Sequence, residues 1–185
     1  MVDVLEYVRV PDDDAAEFHF DALAADNEVD VDDDEESRVF SNRSLPAAEH
    51  PKLLSLTPCW SWADFGRNVP CLALAGYQII VKGHYRSNIT VASSANAPPH
   101  PEYVLIFLVV FRLREKGTDI VVSINYPVRT QEEIEAVRNP DTAAVLRWID
   151  SAPGVSDAEN TLKEIILNFE IVKWDLFEDD SMDEE

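Results

Sequence analysis

The stretch Val109–Val128, VVFRLREKGTDIVVSINYPV, decides the fold. It reads as two apolar strands joined by a charged, Gly-containing turn, Glu115-Lys116-Gly117-Thr118. The first strand reaches back to Glu102 and runs to Leu113 almost without a polar residue. The second runs from Asp119 to Tyr126 and stops at Pro127, which has no N–H to give to a ladder. Strands apolar on both sides are buried on both faces, so other elements must cover each face of this sheet. On the second strand, Ile120, Val122 and Ile124 share one face, and Val121 and Ser123 share the other.

Outward from that hairpin the remaining elements follow from spacing. Val2, Val4 and Val8 alternate with Asp3 and Tyr7, which predicts a first strand ended by Pro11. Asp12–Asp14 supply N-cap candidates and favourable charge for a helix in which Ala15, Phe18, His19, Ala22 and Leu23 recur at helical spacing to about Ala25. Asp26–Glu36 is an acidic loop, and Arg38–Asn42 a short strand. Val69–Ala75 and Tyr77–Tyr85 read as strand with a kink at Gly76. Ala92–Pro101, with three prolines, reads as a flexible surface loop. Ala144, Val145, Trp148 and Ile149 predict a helix over Asp141–Asp150, capped by Asn139-Pro140-Asp141 and broken at Pro153-Gly154. Ser156 or Asp157 caps a last helix with the stripe Leu162, Ile165, Ile166 and Phe169, and Glu170–Phe177 closes as a strand. The sum is an α+β domain, a mostly antiparallel β-sheet covered by α-helices on its faces. It occupies 1–177 as a single domain, and 178–185 is an acidic disordered tail.

Composition narrows the function. The chain has 185 residues and 46% hydrophobic content, enough for one domain with a core. Its longest apolar run, Tyr103–Phe111, is of strand length, so no membrane partner is expected, and no basic n-region marks a secretory signal. Cys59 and Cys71 make neither a disulfide framework nor a zinc motif, which points to a reducing compartment. The net charge of −21 argues against nucleic acid as a partner and favours a basic protein reached by electrostatic steering. Much of that charge lies in Asp30–Glu36 and Glu178–Glu185, where solubility alone explains it.

Catalytic chemistry finds no support. His19, His50, His84 and His100 are scattered, with no metal-ligand spacing, and His19 between Phe18 and Phe20 reads as a core or boundary residue. The run Asp30–Glu36 lacks the Gly and the Glu of a calcium loop. No G-x-x-x-x-G-K-[ST] or G-x-S-x-G occurs. No catalytic residue, cofactor or metal is therefore assigned. Trp60, Trp62, Trp148 and Trp174 read as core, although Trp60 and Trp62 could form an exposed recognition patch.

Three ordered blocks carry a family resemblance. They are Val2-Asp3-Val4-Leu5-Glu6 with Ala16-Glu17-Phe18-His19-Phe20-Asp21-Ala22-Leu23-Ala24, then Arg112-Leu113 with Thr118–Pro127, then Asn168–Phe177. Together they resemble the Mog family of Ran-binding proteins, also called Ran guanine nucleotide release factors. The resemblance implies an antiparallel sheet between helices, a fold shared with the photosynthetic PsbP proteins. It implies a partner, the small GTPase Ran, with other nuclear-transport factors, and a place in the nucleus and cytoplasm. The family's Ran-contact pattern, an acidic residue, two apolar residues and Glu, falls on Asp3-Val4-Leu5-Glu6, so Asp3 and Glu6 become Ran-binding candidates. Their role would be to promote nucleotide release in nuclear import. The family's N-terminal hairpin has no counterpart ahead of Asp3, which would leave a sheet edge unpaired. Two alternatives stay open: a small ligand-binding or enzymatic domain with a pocket near Trp60, Trp62 and Tyr85, and a PsbP-like structural accessory protein.

Overall fold

The computed structural model describes residues 1–45, 69–81 and 101–169. Its centre is the apolar hairpin, strands β4 (Pro101–Leu113) and β5 (Thr118–Pro127). A single 3-10 turn at Arg114–Lys116 joins them, and Gly117 closes it at φ 58°, the left-handed region that favours glycine. Around the hairpin lie β1 (Val2–Glu6), β2 (Ser37–Ser44) and β3 (Cys71–Val81). The sheet has five strands in the order β1-β5-β4-β3-β2, every neighbouring pair antiparallel.

Both faces of β4 are covered, as its unbroken apolar run requires. Leu105, Phe107, Val109, Phe111 and Leu113 pack in one cluster with Val145, Ile149, Leu162 and Ile166 from the C-terminal helices. Val104, Ile106, Leu108 and Val110 pack in a second cluster with Ala15, Ala16 and Phe20 of helix α1 (Asp12–Asp26). On β5, Ile120 and Val122 join the first cluster and Val121 joins the second, all buried. Each such apolar side chain contributes roughly 1.5–3 kcal/mol of transfer free energy, so the two-sided burial of this hairpin dominates the core.

Several local readings need correction. Asp12–Asp14 do not cap α1: Pro11 holds the N-cap position at φ −50° and ψ 152°, and the three aspartates fill the first turn, where the helix dipole favours them. β3 runs unkinked through Gly76. A Cβ at Gly76 would meet the Arg38 carbonyl at 2.7 Å and Phe20 Cζ at 2.8 Å, so this glycine answers to packing. The irregularity sits on the partner strand, where the register shifts between Val39 and Ser41. A helix not expected from spacing, α2 (Gln131–Val137), carries a full capping box between Thr130 and Glu133. Helix α3 (Thr142–Ser151) is capped by Asp141 as expected. Helix α4 (Pro153–Asn168) starts at Pro153 and not at Ser156 or Asp157, because proline's fixed φ suits the first helical position.

Among the described residues no helix is long and apolar enough to cross a membrane. The expected closing strand 170–177, the tail 178–185, the loop 92–100, Trp60, Trp62, Trp174 and Tyr85 lie outside the described residues.

Candidate functional site

Asp3 and Glu6 both sit on β1, at the end of the sheet. Only β5 pairs with β1 among the described residues. Asp3 lies opposite Val121 and Glu6 opposite Thr118. Strand residues three apart point to opposite faces, so the two carboxylates do not share one. Half-buried Asp3 faces the α1 side with Leu5, and exposed Glu6 faces the other side with Val2 and Val4. Met1 and Ser123 exchange both backbone hydrogen bonds, at 2.7 and 3.0 Å, and the Tyr7 N–H reaches the Gly117 carbonyl at 2.8 Å. Those bonds set the phase of the ladder: the backbone groups of Asp3 and Leu5 face β5, and those of Val2, Val4 and Glu6 face outward. Val2, Val4 and Leu5 are 48%, 59% and 42% exposed, the valines on one face and Leu5 on the other.

Behind this edge lies a polar cluster that spacing alone does not reveal. Arg112 and Asp119 are cross-strand partners in the hairpin, both buried, with Nε 3.3 Å from Oδ1. Asp119 Oδ2 accepts from the Val8 N–H at 3.2 Å and lies 3.1 Å from Nε2 of buried His19. The Arg112 guanidinium also donates to the carbonyls of Val8 and Val10 and to Asp12 Oδ1, and it stacks 4.2 Å from the Tyr7 ring centroid. This cluster ties the turn between β1 and α1 to the sheet, and so fixes where the acidic edge sits. A hydrogen bond from Arg114, with the positive charge of Arg114 and Arg112, holds the Asp12 carboxyl below its ordinary range despite partial burial. The sequence signal for the cluster is charge inside otherwise apolar strands, at Arg112 and Asp119.

The α1 side of the sheet is acidic as well. Asp21 is pushed up, first by burial and then by the charges of Glu17 and Asp32, and Phe18 on the same helix is 45% exposed. The loop Asp30–Glu36 is exposed at Asp30–Glu35, and its own carboxylates accept the backbone N–H groups of Asp30, Asp32 and Glu35. Among the described residues no three His, Cys, Asp or Glu side chains are grouped to hold a metal ion.

A cavity of about 370 Å³ opens on the opposite face, between β2–β3 and helices α3–α4. Apolar residues such as Leu45, Phe107, Leu146 and Ile166 line it, with Glu159 and Lys163 paired at its rim 2.9 Å apart. The pocket expected near Trp60, Trp62 and Tyr85 falls on residues outside those described.

Comparison with known proteins places this geometry. No curated protein matches the chain by sequence. A solved structure of a Mog1 point mutant is 19% identical, with a TM-score of 0.52, over 96% of this chain and 69% of its own. The Saccharomyces cerevisiae Ran-binding protein Mog1p is 18% identical, with a TM-score of 0.45, over 85% of this chain and 64% of its own. At such identity the first likeness establishes a shared fold. The family model of the Ran-interacting Mog1 protein matches residues 1–127, which span β1 to β5 and include the acidic edge and the whole buried cluster. The chain therefore belongs to the Ran-interacting Mog1 family.

Proposed function

We propose that this chain binds the small GTPase Ran through Asp3 and Glu6 on β1 and promotes release of its guanine nucleotide. It thereby serves nuclear protein import, acting in the nucleus and cytoplasm with other transport factors. The observation that carries the reading is the family match across residues 1–127, which includes a solvent-facing acidic strand. A GTPase holds phosphate and Mg²⁺ with lysines and backbone donors in a tight electrostatic cradle. Carboxylates presented by a partner compete for those cations through charge-assisted hydrogen bonds. A partner that binds the nucleotide-poor form better than the loaded form shifts the population toward release, without any bond chemistry of its own. The net charge of −21 adds long-range attraction to a basic surface, so association slows as salt rises.

Titration calorimetry against Ran tests the site. Asp3→Lys with Glu6→Lys replaces two attractions by repulsions and lowers affinity by about a thousandfold if the contact is desolvated. Reversing exposed Asp33 and Asp34 in the acidic loop changes mainly the on-rate. Equal losses in the two double variants would refute Asp3 and Glu6 as a site. Circular dichroism establishes that each variant is folded.

A further inference from the structure

The outward edge of β1 offers more than two carboxylates. It presents the backbone N–H and C=O groups of Val2, Val4 and Glu6, and no described strand pairs with them. Such a row is a template for another strand. It is bracketed by exposed Val2 and Val4 on one face and Leu5 on the other. The buried Arg112–Asp119–His19 cluster holds the following turn, so the strand is fixed at that end before any partner arrives.

We propose that this edge takes up an extended, basic segment of the partner as a sixth strand, main chain to main chain. The proposal rests on the Ran-binding reading above and specifies its mode. Alternation sets the chemistry of the added strand. Residues opposite Val2, Val4 and Glu6 fall on one face, and those opposite Asp3 and Leu5 on the other. The segment that fits carries Lys or Arg opposite Asp3 and opposite Glu6, hence three residues apart, with an apolar side chain between them against Val4. The split of the two carboxylates between faces is then an advantage: an adding strand reaches both, where a helix or a flat surface would reach one. A second copy of this chain is a poor occupant. It would set Asp3 and Glu6 of two edges together on molecules that each carry −21.

The test uses the 185-residue chain and Ran. Amide exchange read by NMR is expected to show the Val4 and Glu6 N–H groups exposed in the free chain and protected at least about tenfold when Ran is added. Val4→Pro removes one outward donor without touching the bonds to β5, a substitution that edge strands tolerate. It is expected to weaken Ran binding at least about tenfold, and Val4→Thr, which keeps the N–H and gives up only apolar contact, is expected to weaken it less. Should Val4→Pro unfold the domain, the amide exchange decides alone. Ran bound with both amides still exchanging freely would overturn strand addition and leave the Ran reading standing. Amides already protected in the free chain would show the edge filled by the chain itself, and protection with dimerisation in sedimentation would show it filled by a second copy. Either result overturns the proposal. Absence of any Ran binding by the parent chain would remove the functional reading and this mode together.

Discussion

Replacing Arg112 by Met tests how the acidic edge is held. Arg112 is 1% exposed, and its guanidinium serves Asp119, Asp12 and the carbonyls of Val8 and Val10 while stacking on Tyr7. Met fills much of the same volume but donates nothing. Among the described residues it leaves the Asp119 carboxylate, itself 0% exposed, with the Val8 N–H and His19, and it takes the guanidinium donors from the Val8 and Val10 carbonyls. Removing one member of a buried pair costs about 3–5 kcal/mol, because the other charge stays behind uncompensated. For a domain of this size about 1 kcal/mol moves Tm by roughly 2–4 °C, so the melting point should fall by roughly 6–20 °C. Urea unfolding followed by far-UV circular dichroism measures the loss. Adding Asp119→Leu to Arg112→Met removes the stranded charge, and the double variant should recover part of the loss, with a coupling of about 0.5–3 kcal/mol. A single variant within about 1 kcal/mol of the parent, or strict additivity of the pair, would refute the cluster as the tie between β1 and the sheet.

Three further outcomes follow from the fold. Val121→Asp and Val122→Asp each bury an unpaired charge, at sites 3% and 1% exposed, and each should abolish the cooperative thermal transition; a normal melt for Val121→Asp would mean that α1 does not cover its face. Gly76→Ala forces a methyl against the Arg38 carbonyl and the Phe20 ring and should cost about 1–3 kcal/mol in urea unfolding; no loss would mean that β2 yields freely at its bulge. Burial pushes Glu133 up, but the N–H groups of Arg129 and Thr130 and the Tyr126 hydroxyl outweigh it and hold the carboxyl below its ordinary range. Its stabilisation is therefore present above about pH 5 and lost as pH falls through the depressed native value, so Glu133→Gln should flatten part of the acid limb of a stability profile, and an unchanged limb would contradict this.

The sheet was legible because β4 and β5 are apolar on both sides, a pattern that fixes both the pairing and the need for two covering layers. Helix α1 was legible from the spacing of Ala15, Phe18, His19, Ala22 and Leu23, but only part of that stripe faces the core: Ala15 and His19 are buried with Ala16, Phe20 and Ala24, while Phe18 and Ala22 are exposed. Helix α2 escaped because its seven residues are too few to show a period, although Thr130-x-x-Glu133 marked its start. Pro153-Gly154 looks like a stop in sequence, whereas a proline at the first helical position opens α4. Gly76 inside a strand pattern reads as a kink, and nothing local tells a kink from a contact made by Phe20, far away in sequence. The same limit hid the buried cluster: Arg112 and Asp119 were visible as charges, but their partners His19 and Asp12 lie about a hundred residues away. Asp3 and Glu6 were named from a family pattern, and strand alternation then placed them on opposite faces.

The central claim is that this chain acts on Ran, and the most direct measurement is nucleotide release from Ran loaded with a fluorescent guanine nucleotide. The full chain should accelerate release in proportion to its concentration until Ran is saturated, and Asp3→Lys with Glu6→Lys should abolish the acceleration while leaving the domain folded. Release that proceeds at the intrinsic rate at saturating protein, or an equal acceleration by the double variant, would contradict the account.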